Sequence, residues 1–288
     1  MRRMLPTLRR FSPHDNTEPA PDPEPEQFYP SLRDVFQVRA ILRRGIVPEG
    51  LPVEIVDLIV DAAEYWPSVE ARISEKIIIR QDGDRECLRT PPLCYEQTPV
   101  DSSQSRILPH RGMHPCRKIV FSIASHDQGW GGGYGNRGKH VGAYSWFDAF
   151  IIPTARKPDN DADATTPPGT DEGSRTTGQE RTTTDAETKP ESRLEPFLPT
   201  ANRLQTNPVA TSTTQNFRIV WHYLDSIPAD SAKAEEIETE EGRGRATLDG
   251  SAVRNMQVGD SVSVWARARF AGWANHVERL SVRVFWAV

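Results

Sequence analysis

Residues 118–152 read KIVFSIASHDQGWGGGYGNRGKHVGAYSWFDAFII. At one end Ile119, Phe121 and Ile123 alternate with Val120, Ser122 and Ala124, the two-residue period of a β-strand. At the other, Tyr144, Trp146, Phe147 and Phe150 crowd a second strand-like run. The polar, glycine-rich segment between them, HDQGWGGGYGNRGKH, is too long for a tight hairpin. Two apolar strands holding up a long loop with Trp130 and Tyr134 on it predict a β-scaffold that displays a recognition surface.

The same alternation recurs downstream. Phe217, Ile219, Trp221 and Tyr223 form one series, Val262, Val264, Ala266, Ala268 and Phe270 a second, and Leu280, Val282, Val284 and Trp286 a third. Such patterns predict antiparallel sheets with one face on a core. Residues 155–215 are rich in Thr, Asp, Glu and Pro with few aliphatics, which predicts a disordered insertion. Residues 1–30, proline-rich and acidic in their second half, predict a disordered tail. Residues 82–115 read as irregular, and the acidic run AEEIETEEGRGR reads as a solvated loop. The strands expected near 73–80, 118–125 and 144–152 lack partners unless those of 216–288 supply them. The expected organisation is therefore one domain, with helices and the first half of a β-sandwich over 31–154 and the second half over 216–288. Its class is mainly β, an antiparallel jelly-roll-like β-sandwich with one or two N-terminal helices and long disordered segments.

The 288 residues are 36% hydrophobic, below the roughly 45–50% of globular domains, and include 24 prolines and 19 glycines. A net charge of −5 argues against a nucleic-acid partner. No apolar run approaches the roughly 18 residues of a membrane span, and MRRMLPTLRRF at the N-terminus lacks the apolar core of a secretory signal. Three cysteines do not make a secreted disulfide framework. A cytoplasmic or nuclear protein is expected.

Catalytic patterns are weak. His126 and Asp127 are the nearest pair for a hydrolase, with His140 and Asp148 close in sequence, but neighbours on a strand point to opposite faces. GWGGGYGNRG has the letters of a phosphate-binding loop yet opens an aromatic strand, not a helix. His110 and His114 have zinc-ligand spacing, whereas Cys87 and Cys94 stand too far apart to form the second pair, so no metal or cofactor is expected. Binding chemistry is richer. Trp130 and Tyr134 on one loop, and Trp273 with Asn275 on another, suggest aromatic platforms flanked by His126, Asp127, Gln128, Arg267 and Arg269. The predicted function is a non-enzymatic module that recognises a protein or a glycan.

Two helices are predicted ahead of the strands. Leu32, Val35, Phe36, Val38, Ile41 and Leu42 suit a short amphipathic helix that Gly45 stops. In LPVEIVDLIVDAAEYW, residues 51–66, Pro52 and Glu54 favour a helix start, and Trp66–Pro67 ends it. Ile55, Leu58, Ile59, Ala62 and Ala63 line one face, expected to pack on the end of a sheet. This run resembles the opening helix of an F-box, Leu-Pro-x-Glu followed by paired aliphatics. The resemblance implies an adaptor whose partner is the linker subunit of a ubiquitin ligase. The following SEKIIIRQDGD departs from it, being a strand and turn where an F-box continues in helices. Taken with HDQGWGG, YSWFDA, RIVWHYLDS and VGDSVSVWARARFAGWANHVERLSVRVFWAV, the helix resembles an uncharacterised family of fungal proteins in which a sandwich follows it. At fold level the combination is similar to the substrate-reading domains of F-box proteins and to phloem-lectin-like folds, which implies an architecture but no activity.

Overall fold

The computed structural model describes residues 28–96, 106–132, 135–154 and 200–288. Its strands are β1 (Ser68–Ile73), β2 (Ile77–Arg80), β3 (Asp84–Arg89), β4 (Cys116–Asp127), β5 (Ser145–Ile152), β6 (Arg203–Thr206), β7 (Gln215–His222), β8 (Ser261–Ala268) and β9 (Ala274–Trp286). They form two sheets, one ordered β1-β9-β4-β7 with β2 also on β9, the other β3-β8-β5-β6. Pairing is antiparallel throughout the described residues. Each sheet mixes strands from both sides of residues 155–199. β4 lies between β7 and β9, and β5 lies between β6 and β8.

The alternation explains the core. Ile119, Phe121 and Ile123 of β4 join Ile219 and Trp221 of β7 and Leu280, Val282 and Val284 of β9 in one buried cluster. The same cluster takes in Phe147 and Ala149 of β5, Val262, Val264 and Ala266 of β8, and Leu204 of β6. Phe121 meets Trp221 edge-on, ring centroids 4.8 Å apart, an arrangement favoured by the ring quadrupoles.

Several boundaries differ from the expectation. β3 falls within the stretch read as irregular, and Cys87 is one of its residues. Residues 200–215 are not the end of an insertion. They carry β6 and bury Leu204, Gln205, Thr206, Asn207, Val209 and Ala210. Their polar composition is tolerated because the buried amides find hydrogen-bond partners in distant strands. The remaining residues of the two stretches expected to be disordered, 1–27 and 155–199, lie outside the described residues. Tyr29 and Pro30 belong to the fold, Tyr29 with its ring 5.8 Å from that of Phe285.

The acidic run is a helix, α3 (Ala232–Glu241), and not a loop. Ser231 caps it by accepting from the Ala234 amide at 3.2 Å, Gly242 closes it in the left-handed conformation, and Ala234 and Ile237 are buried. Good helix formers between two caps outweigh the charge. A short helix, α4 (Ser251–Asn255), precedes β8.

Helices α1 (Leu32–Gly45) and α2 (Val53–Ala62) lead the chain into the sheets. Ser31 and Asp34 form a capping box at the start of α1, the Ser31 amide donating to Asp34 Oδ2 at 2.8 Å. α2 lies the other way round from the expectation. Val56 and Val60 are its buried residues, and Asp57 and Asp61, half-buried, turn towards basic side chains of the fold. Asp57 pairs with Arg39 at 2.6 Å and with Arg111 at 3.0 Å. Asp61 pairs with Arg111 and accepts from Trp66 Nε1 at 2.9 Å. The face expected to pack is consequently outward: Leu58 is 65% exposed, Ile55 41% and Ile59 38%.

That orientation predicts a contrast measurable by urea denaturation. Phe121→Ala should lower stability by roughly 3–5 kcal/mol, as for a buried ring. Leu58→Ala should change it by less than about 0.5 kcal/mol, as for a surface position. A large loss at Leu58 would show that this face packs against the fold.

Candidate functional site

The connection from β8 to β9 is short and contorted. Phe270 and Gly272 both adopt left-handed backbone, φ 67° and 85°. For a bulky aromatic residue that is a strained conformation, held here by the Phe270 amide donating to Asp82 Oδ1 at 3.1 Å. The connection presents Phe270 and Trp273 to Tyr144, which enters from the start of β5. The Tyr144 ring stands edge-on to both, at 4.7 Å from Phe270 and 4.9 Å from Trp273. Trp273 also packs on Ala143, Val209 and Ala210.

Trp130 completes the group from the loop after β4. It is 64% exposed, and its indole lies over Gly272. A Cβ at Gly272 would stand 2.7 Å from the Trp130 ring, so the close approach requires glycine. Gln128 links the two loops: its Nε2 donates to the Trp130 carbonyl at 2.7 Å, and its Oε1 accepts from the Ala274 amide at 3.2 Å.

Beneath this platform lies a buried polar seam between the sheets. Asn275 Nδ2 donates to the Trp146 carbonyl at 2.9 Å, and Asn275 Oδ1 accepts from Asn207 Nδ2 at 3.0 Å. Asn207 Nδ2 also donates to Ser145 Oγ at 3.1 Å, and Asn207 Oδ1 accepts from Ser125 Oγ at 2.7 Å. Asp127 is fully buried beside it, accepting from the amides of Gln128 and Ala210, the latter at 2.9 Å. Burial pushes its carboxyl up to about 6, against the opposing pull of those two amides and of His126.

The structure thus separates the expected site residues. Trp130 comes over Gly272, next to Trp273 in the chain, with Gln128 bridging the Trp130 carbonyl and the Ala274 amide. Asp127 and Asn275 do not face a ligand, because both are fully buried and hydrogen-bonded within the fold. Arg267 pairs with Asp148 at 2.5 Å and Asp84 at 2.7 Å, and Arg269 grips Asp84 through two nitrogens at 2.7 and 3.0 Å. Burial opposes the Asp84 charge, yet hydrogen bonds from Arg269 and the charge of Arg267 hold its carboxyl below the ordinary value. His126 lies on the opposite face from Asp127, stacked on His276 at 4.5 Å, so the two cannot act on one substrate atom. Burial first, then the charges of His126 and Arg80, lower the His276 pKa. Tyr134 lies outside the described residues. Sequence reasoning missed Tyr144 and Phe270 as members of the platform. The available signal was an aromatic residue at a strand end followed, two positions on, by Gly-Trp.

Among the described residues no group of three or more His, Cys, Asp or Glu side chains is placed to hold a metal, and no helix is long and apolar enough to cross a membrane.

The Asp127 environment predicts a pH dependence. Its folded carboxyl takes up a proton near pH 6, above the unfolded value near 4, so the native state binds more protons between these limits. Stability from this group should therefore rise as pH falls from about 6 towards 4. Asp127→Asn should abolish that gain, and should cost about 1–3 kcal/mol at any pH by turning an amide group towards a backbone donor. Urea denaturation of both proteins near pH 5 and pH 7 checks it. An equal difference between the two proteins at both values would contradict the assignment.

No protein-family model, no curated protein and no solved structure matches this chain.

Proposed function

We propose that this chain is a non-enzymatic interaction module. In this reading its two sheets make a jelly-roll-like sandwich whose aromatic end receives a glycan or an apolar stretch of peptide. One observation carries the proposal: Trp130 is 64% exposed and yet held in place by Gln128 and Gly272. A large aromatic surface fixed before binding loses little conformational freedom on contact, which favours affinity. The nearby arginines are committed to Asp84 and Asp148, so the platform favours a neutral ligand over a phosphate. Sugar rings and apolar side chains both suit stacking of this kind. The free thiols of Cys87, Cys94 and Cys116 fit a reducing compartment, the cytoplasm or nucleus.

A second reading rests on α2. Its outward Ile55, Leu58 and Ile59, on a run that resembles an F-box opening, support docking of a ubiquitin-ligase linker subunit. Recovery of that subunit in a pulldown, and its loss with Leu58→Glu, would favour this role.

For the aromatic platform, Trp130→Ala should leave stability within about 0.5 kcal/mol of the parent while abolishing retention on glycan or peptide arrays. Gly272→Ala should weaken the same binding by displacing the indole. A Trp130→Ala protein that is strongly destabilised, or that still binds, would overturn the proposal.

A further inference from the structure

The outer face of the β1-β9-β4-β7 sheet carries positive charge that the fold does not use, and strand register sets it out. Arg72 of β1 lies opposite Ser281 of β9, Ser281 opposite Ser122 of β4, and Ser122 opposite Arg218 of β7. Partners in register share a face, and the residues flanking them in sequence, Phe121, Ile219 and Val282 among them, point into the core. The four therefore form one outward row across the sheet, on which Arg72, Ser122 and Arg218 are exposed. In the next row exposed Arg279 lies opposite Ala124, and Ala124 opposite Asn216. Three arginines thus border a floor of short side chains.

None of the three has an ion-pair or hydrogen-bond partner among the described residues. The acids of the same face are matched, Glu70 by Arg283 at 2.7 Å and Glu278 by Lys76 at 2.6 Å. Exposed Glu75, in the turn between β1 and β2, is offset by exposed Arg80 at the end of β2. Positive charge is therefore in excess here, although the chain as a whole stands at −5. Neighbouring strands are about 4.8 Å apart, so three steps place Arg72 and Arg218 roughly 14 Å from each other. In an extended peptide, residues four apart lie on one side at about 13 Å, a close match.

We propose that this row binds an acidic peptide laid across the strands, its alternate carboxylates taken by Arg72, Arg218 and Arg279. A guanidinium can grip a carboxylate through two parallel hydrogen bonds, and the hydroxyls of Ser122 and Ser281 supply further donors between the arginines. Nucleic acid fits this face less well, because the floor offers no aromatic ring on which a base could stack. None of these side chains belongs to the aromatic platform, and the inference does not depend on it.

Fluorescence anisotropy of the full chain with a labelled peptide of alternating glutamate and serine tests it. Binding should saturate and should weaken as salt is raised. The pair Arg72→Gln and Arg218→Gln should reduce affinity about tenfold, as expected from the loss of two exposed ion pairs. Ser122→Glu, which sets a like charge in the middle of the floor, should reduce it at least as much. Melting curves should show each variant folded, and Trp130→Ala should bind as the parent does. Absence of saturable binding, or equal affinity in the parent and both charge variants, would overturn the proposal. Equal binding of the glutamine–serine peptide would show that charge is not read and overturn it as well. So would tighter binding of single-stranded oligothymidylate, which would assign the face to nucleic acid.

Discussion

The hydrogen bond between Asn207 and Asn275 holds together what the apolar core does not. Hydrophobic contact between two sheets is non-directional and tolerates sliding. A buried amide pair does not, because each donor left unmatched costs about 1–3 kcal/mol. Asn207 follows β6 in one sheet and Asn275 sits on β9 in the other. Through Ser125, Ser145 and the Trp146 carbonyl the same two side chains reach β4 and β5. One relative placement of the sheets satisfies all of these groups, and from it follows where the β8–β9 connection emerges. The aromatic platform inherits its geometry from this seam.

Charge organises the neighbouring face in a similar manner. Asp84 receives both Arg267 and Arg269, and Asp148 takes the Arg267 Nε and the Trp146 indole N–H. The Trp146 ring has guanidinium groups nearby, Arg203 at 5.1 Å and Arg269 at 5.5 Å from its centroid. Charges that looked available to a ligand in the sequence are thus consumed in fixing β3, β5 and β8 against each other.

What was legible in the sequence is what depends on near neighbours. The alternation in Ile119–Ile123, Val262–Ala268 and Leu280–Trp286 marks strands because side-chain direction reverses at each residue. The facing of α2 was misread because its apolar stripe is the more conspicuous one. Its acidic stripe is buried by Arg39 and by Arg111, the latter some fifty positions after Asp61. Residues 200–215 looked too polar to fold for the same reason, since the partners of Asn207 lie 62 to 82 positions away. In the site, Trp130 could be singled out by its glycine-flanked loop. Asp127 and Asn275 could not be told from ligand-binding residues, because a buried polar side chain and an exposed one look alike until the fold supplies the partners.

β9 pairs with β1, β2 and β4, and every one of them precedes it in the chain. During synthesis at about 5–20 residues per second, these strands emerge long before residues 274–286 do. Until then β1 and β2 have no sheet to join, and β4 has only β7 to pair with. The nascent chain must therefore carry unpaired strand edges for many seconds, a span in which association with other chains competes with folding. A fold closed by a strand that follows all its partners in the chain completes late, and its yield in a cell depends on whatever shields those edges in the interval.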